Sequence, residues 1–324
     1  MKKSLSPFLL VFLFFPVKII VNFESSWRQE RMMSDFLKKI LWATDFSDEA
    51  QEALLYADAF SKAFKAGIVA LHVVPDFSPA LYNAAYIIRE DLIRRLNFIK
   101  EEAKKKLQVL KKAKGISFKI IVKEGTASKK IIETAEEEKV DLIVIGRRGL
   151  SAIEKLFIGS VANQILRNSP VPILVTKKKR GKPRFKKIVV PTDFSAQEEV
   201  ERDFAWKLAK GFGSDLTLLH VLELHDYEFS PRVLDELFKS LLKRLKQRKK
   251  REKADIKVSE EVYRAINASM GIVDYAETHN FDLIVMSTCV QSMLERFFLG
   301  STTEKVISYT HIPIFAIPPA QCTD

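Results

Sequence analysis

Two cysteines, Cys289 and Cys322, are all that the 324 residues contain. They form no CxxC, so neither a disulfide framework nor a zinc cluster is suggested. The histidines, His72, His220, His225, His279 and His311, make no HExxH pair, which removes that zinc-protease signature. Glycine is scarce, at 11 residues, and none opens a Gly-Lys-Ser/Thr or G-x-G-x-x-G sequence. Neither a Walker A nor a Rossmann loop is therefore present. Long apolar runs are lacking too. The run from Pro7 to Val17 is broken by Pro16, stopped by Lys18, and too short to span a bilayer comfortably.

That run follows Lys2 and Lys3 and resembles a signal-peptide core, but no A-x-A cleavage site comes after it. Met32 and Met33 stand just before Ser34, where the first domain begins. The expectation is translation from Met32 or Met33, with residues 1–32 an upstream extension; the competing reading is an uncleaved membrane anchor. Hydrophobic residues make up 47% and charged residues 29%, the composition of a soluble chain with two ordinary domains. A cytoplasmic protein with no membrane partner is expected, unless residues 1–32 are a genuine anchor. The net charge of +12 and pI near 9.5 speak to non-specific attraction, not to function.

Short apolar runs alternate with amphipathic stretches throughout. Ile40–Ala43, Ile68–Val74, Phe118–Val122, Asp141–Ile145 and Pro172–Val175 read as strands. Ala50, Ala53, Ala57, Phe60 and Phe64 mark one helical face, and Leu92, Leu96, Ile99, Ala103, Leu107 and Leu110 mark another. Ile131, Ile132 and Ala135 mark a third helix. Ser47 is placed to cap the first helix, with Asp48 and Glu49 at its positive end. This alternation predicts a parallel sheet covered on both faces.

The stretch from Gly146 to Ser160, GRRGLSAIEKLFIGS, lies between the carboxyl end of the fourth strand and the next helix. Ligands bind at such points in open α/β sheets, and a helix start suits an anion. Gly146 and Gly149 are expected to let the backbone approach a ligand and to take positive φ. Ser160 offers a hydroxyl that can cap the helix or meet a phosphate oxygen.

The pattern then repeats. LWATDFS at Leu41–Ser47 returns as VVPTDFS at Val189–Ser195, an offset of 189 − 41 = 148. DLIVIG at Asp141 returns as DLIVMS at Asp282, an offset of 282 − 141 = 141. The second copy has thus lost 148 − 141 = 7 residues between its second and third strands. Domains are expected at 33–177 and 187–319, with a solvated basic linker at 178–186 and a tail at 320–324. Ser195-x-x-Glu198 reads as a capping box.

The spacing Gly, two residues, Gly, nine residues, Gly-Ser resembles the ATP-binding signature of the universal stress protein family, and the resemblance covers Met33 to about Pro319. It implies a tandem member, with a five-stranded parallel sheet in each domain, of the adenine-nucleotide α-hydrolase-like type. It also implies an adenine nucleotide, ATP, ADP or AMP, with Mg2+ as companion ion. Asp45 would lie at the adenosine end, His72 and Val73 beside the base, and Gly146, Gly149, Gly159, Ser160 and Val161 at the phosphates and ribose.

In the second copy Gly146 becomes Ser287, Gly149 becomes Val290 and Val161 becomes Thr302. A weaker second site would rest on Asp193, Val221, Gly300 and Ser301. The leading reading is a nucleotide-binding stress-response regulator with no assigned catalytic residue, at most a slow ATPase. Its rivals are a basic nucleic-acid binder, through the linker and the run from Lys243 to Arg251, and a structural dimerisation module with a vestigial pocket. The fifth strands are expected to pair the halves within one chain, since exposed edges tend to be covered. A homodimer remains open as a further partner.

Overall fold

A computed structural model describes residues 36–75, 86–149, 158–177, 181–195, 198–224, 230–249, 256–288 and 299–318, with backbone alone at 86–89 and 248–249. Residues 1–32, the loop residues Leu150, Ile153, Leu156 and Phe157, and Cys289 and Val290 lie outside the described residues. Leu37 to Asp324 forms one compact unit. Its first half runs β1 (Lys39–Ala43), α1 (Asp48–Phe64), β2 (Gly67–Val74), α2 (Tyr86–Lys114), β3 (Lys119–Glu124), α3 (Ala127–Glu137), β4 (Leu142–Gly146), α4 (Ser160–Asn168) and β5 (Ile173–Thr176). The second half repeats the order as β6 (Lys187–Pro191), α5 (Glu198–Phe212), β7 (Asp215–Glu223), α6 (Pro231–Lys249), β8 (Val258–Ala265), α7 (Ala268–Thr278), β9 (Leu283–Ser287), α8 (Ser301–Tyr309) and β10 (Ile314–Ile317).

Helix α1 shows how local sequence sets these elements. Ser47 caps it, its Oγ accepting from the Ala50 N–H, and Lys65 ends it in the left-handed region at φ 56°. Between these points Ala53, Leu54, Ala57 and Phe60 are buried against the sheet. The residues lost from the second copy fall largely on the helix after the second strand: α2 has 29 residues and α6 has 19.

All ten strands form one sheet, in the order β3-β2-β1-β4-β5-β10-β9-β6-β7-β8. Within each half the strands are parallel. The two halves meet where β5 and β10 run antiparallel, with Val175 opposite Ile314, Leu174 opposite Phe315 and Ile173 opposite Ala316. Both strands are wholly buried, as a join at the centre of a sheet requires.

The helices above this join are locked by rings. Phe60 of α1 lies 4.9 Å from Phe212 of α5, 5.2 Å from Phe185 and 6.4 Å from Phe315 of β10. Gly211 admits the Phe64 ring, because a Cβ there would sit 2.2 Å from its edge. Phe185 belongs to the stretch read as a solvated linker, yet it is buried and stacks 4.2 Å from Phe212. A single apolar residue among eight charges and turn-formers gives no periodic signal, so its burial was not legible from composition.

The seam carries much of the stability of this arrangement. Phe60→Ala should destabilise the protein by about 3–5 kcal/mol, as expected for a fully buried aromatic. Phe98→Ala, at a position 65% exposed, should fall within about 0.5 kcal/mol of wild type. Urea unfolding of the two variants checks both values.

Candidate functional site

The turn after β1 is built by its own side chains. The Phe46 N–H donates to Thr44 Oγ1 at 3.0 Å and the Ser47 N–H to Asp45 Oδ1 at 3.0 Å. These bonds hold Phe46 in the left-handed region at φ 67°. His72 on β2 supports the turn from beneath: its Nδ1 lies 2.8 Å from the Thr44 carbonyl, and its ring is 4.6 Å from Phe46. A carbonyl can only accept, so Nδ1 carries the proton. Burial lowers the His72 pKa, keeping the ring neutral. The second half repeats this assembly. Phe194 has φ 64°, His220 Nδ1 lies 2.8 Å from the Thr192 carbonyl, and the Ser195 N–H reaches Asp193 Oδ1 at 2.8 Å. The repeated TDFS and LHV segments are thus two parts of one structural unit. The expected capping box does not form, since the Ser195 N–H is taken by Asp193 while Glu198 accepts from the Thr192 hydroxyl at 2.7 Å.

A cleft of about 310 Å³ opens at the carboxyl ends of β1, β2 and β4, and seven of the eight first-half candidates line it: Asp45, Val73, Gly146, Gly149, Gly159, Ser160 and Val161. His72 does not, because strand alternation turns its ring toward Phe46. Ala127 and Ile131 of α3 complete an apolar wall that the motif did not reveal.

The glycines serve close approach, and none takes the positive φ expected of Gly146 and Gly149. A Cβ on Gly149 would lie 2.4 Å from Asp45 Oδ2, and one on Gly146 would lie 2.9 Å from the Glu49 carbonyl carbon. On Gly159 it would lie 3.2 Å from the Arg147 carbonyl oxygen. Ser160 is not the cap of α4. Gly159 holds that position without a side-chain bond, and Ser160 is the first helical residue. Ser160, Val161 and Ala162 therefore present N–H groups that have no acceptor within the helix, at its positive end.

Two arginines between the glycines are fixed by opposite partners. The Glu49 carboxylate accepts from the Arg148 N–H at 2.8 Å, from Nε at 3.0 Å and from Nη2 at 2.6 Å. Glu49, which the sequence suggests only as a helix-end acid, thus anchors the loop to α1. Arg147 is buried and crosses to the second half, where its Nη1 donates to the carbonyls of Ser308 and, at 3.4 Å, Ile307 at the end of α8. That helix end is negative, which suits a guanidinium. Lys177 lies near both arginines, and burial followed by their charges lowers its pKa.

The second half has different partners at the matching strand end. The Glu201 carboxylate, 8% exposed, accepts from the Ser287 N–H at 2.7 Å, and Thr303 Oγ1 donates to the Ser287 carbonyl at 2.7 Å. Burial pushes the Glu201 pKa up to about 7. Gly300 caps α8 as Gly159 caps α4, again without a side-chain bond, and Ser301 follows as the first helical residue. Asp193 keeps its turn bond and Val221 is buried. Arg244, from the basic run, lies 4.1 Å from the Phe194 ring, so part of that run packs within the fold.

A doubly repeated α/β fold with a glycine cleft at a strand end defines a class of small-ligand-binding domains. The model of the universal stress protein family matches residues 37–177 and again 184–318, and the chain belongs to that family. A universal stress protein of Methanocaldococcus jannaschii is 36% identical over 141 residues, covering 44% of this chain and 82% of its own. One from Synechocystis is 27% identical over 301 residues, covering 86% of this chain and 99% of its own, so it matches both halves. The crystal structure of a universal stress protein from Archaeoglobus fulgidus superposes with a TM-score of 0.61 at 24% identity, over 86% of this chain and 96% of that one. It shares the fold. No helix among the described residues is long and apolar enough to cross a membrane.

Two outcomes follow from the site geometry. Gly149→Ala should cost about 1–3 kcal/mol through its clash with Asp45. Combining it with Asp45→Ala should recover part of that loss, giving a coupling of about 0.5 kcal/mol or more in a double-mutant cycle. Glu201 is the second test. Its folded pKa of about 7 lies above the ordinary carboxylate value of 4.5, so between these values the folded state binds more protons than the unfolded one. Stability should then fall as pH rises from 4.5 through 7. Glu201→Gln should flatten that slope and be the more stable protein at about pH 8, as measured by urea unfolding across pH.

Proposed function

We propose that the first half binds one adenine nucleotide, ATP, ADP or AMP, and that the chain acts as a nucleotide-responsive regulator in a stress response. The observation that carries this reading is the meeting of Gly149, Asp45 and the open start of α4 in a single cleft. Three backbone donors line a space that is also bordered by the backbone of Gly146, Gly149 and Gly159. Asp45, which lines the cleft beside Gly149, would accept from ribose hydroxyls. Leu71, Val73, Ala127 and Ile131 offer an apolar wall for the base. Mg2+ would be held chiefly by the phosphates, because Asp45 is the only carboxylate among the described lining residues.

The nucleotide would be sensed rather than turned over. Arg148 is engaged by Glu49 and Arg147 by α8, so neither is free to follow charge developing on a transferring phosphoryl group. In the second half Ser287 stands for Gly146 and Val290 for Gly149, and these replacements are why that half is not assigned a nucleotide. The join of β5 and β10 within one chain would take the place of a dimer contact between single-domain relatives.

Calorimetry on the purified chain tests this reading. One nucleotide per chain is expected. Gly149→Val should weaken binding by about ten- to a hundredfold, corresponding to about 1–3 kcal/mol. Asp45→Ala should weaken it less, and Asp193→Ala should change it little. Two nucleotides per chain, or unchanged affinity in Gly149→Val, would overturn the proposal.

A further inference from the structure

A larger cavity, about 680 Å³, lies where the linker enters the second half, and it shares no lining residue with the glycine cleft. One wall is the linker and the start of β6, with Lys182, Arg184, Lys186 and Lys187. The opposite wall is the end of α7 and the turns before β9 and β10. Tyr56 of α1 reaches in from the first half, so the cavity is made jointly by both halves and the segment between them.

The charges are unevenly committed. Asp282 is occupied by backbone, its Oδ2 accepting the N–H groups of Lys186 at 2.7 Å and Lys187 at 3.1 Å. Glu277 Oε1 likewise accepts the Thr310 hydroxyl at 3.1 Å and the His311 N–H at 2.7 Å. Lys187 Nζ donates to the His279 carbonyl at 3.3 Å. The side chains of Lys182, Arg184 and Lys186 have no hydrogen bond or ion pair with any described residue. The lining thus carries four cations against two carboxylates, and three of the cations have no partner among the described residues.

Tyr56 gives this space a built polar group. Only 3% of the residue is exposed, and its ring packs 6.0 Å from Phe185. Its hydroxyl has no hydrogen-bond partner among the described residues. Burial, then the charges of Glu52 and Asp282, push its pKa up to about 12, so it stays a donor at physiological pH. Phe281 and Ile312, both buried, supply an apolar floor.

We propose that this junction cavity is a binding site for a small phosphorylated organic molecule, with Lys182, Arg184 and Lys186 around the phosphate and the Tyr56 hydroxyl donating to it. Arginine and lysine together suit a phosphate dianion, the first by its fork and the second as a point charge. The cavity is too large for an inorganic ion alone, and its floor accepts an apolar body. Because both halves and the linker contribute walls, an occupant would bind only the assembled chain and stabilise it by mass action.

The test uses the full chain at physiological ionic strength, with phenyl phosphate and inorganic phosphate as probes followed by calorimetry. Phenyl phosphate should bind once per chain and more tightly than inorganic phosphate. Tyr56→Phe keeps the ring in place and should weaken phenyl phosphate about three- to tenfold, the effect of one hydrogen bond. Lys182→Gln combined with Lys186→Gln should weaken it more than about tenfold, while Gly149→Val should leave it unchanged. Loss of binding in Gly149→Val with full binding in the junction variants would place the anion in the glycine cleft and overturn the proposal. So would the absence of saturable binding at that ionic strength, or an affinity indifferent to Tyr56→Phe.

Discussion

The antiparallel pairing of β5 with β10 is the contact on which the rest of the molecule depends. Each half is a parallel sheet whose fifth strand, left alone, would expose a row of unpaired backbone groups between two apolar faces. Pairing the two edges satisfies those groups and places Phe315 beneath α1. The Phe60, Phe64, Phe185 and Phe212 rings then close over the join. The linker is part of this closure, and so its one aromatic residue is buried while its cations stay outside.

Two kinds of repeat share the chain, and they have different physical reasons. Thr44, Phe46 and His72, with their counterparts Thr192, Phe194 and His220, maintain a strained turn at the end of the first strand of each half. Asp141 and Asp282 do similar work at the other sheet edge, where each accepts two backbone N–H groups at the entrance to a first strand. Both sets are present in the second half, although Ser287 stands there in place of Gly146. The glycines at 146 and 149 are a separate matter. The second half folds with Ser287 at the first of these positions, its N–H donating to Glu201, so the fold itself does not require glycine there.

Arg147 connects the two kinds of feature. It stands inside the glycine loop, yet its guanidinium ends on α8 of the other half. The hydroxyl of its counterpart, Thr288, donates to the neighbouring Ile317 carbonyl at 3.3 Å. Among the described residues the two positions are therefore used differently, and Arg147 is the one that reaches across.

The sequence by itself determined the alternation of strands and helices within each half, the doubling of the domain and the position of the glycine loop between a strand and a helix. Those features are written in local patterns: apolar runs of strand length, helical spacing, and glycines between a strand and a helix. The family resemblance grouped Asp45, Val73, Gly146, Gly149, Gly159, Ser160 and Val161, and these residues line one cleft at the strand ends. What only the tertiary structure decided depends on distances between residues far apart in the chain. Examples are the use of Gly149 for clearance from Asp45 rather than for positive φ, the hold of Glu49 on Arg148, and the burial of Phe185. The reach of Arg147 into α8 and the unpartnered Tyr56 hydroxyl are of the same kind. A carboxylate at a helix start and a phenylalanine in a basic linker look alike in sequence whether they face water or a partner, and only packing tells them apart.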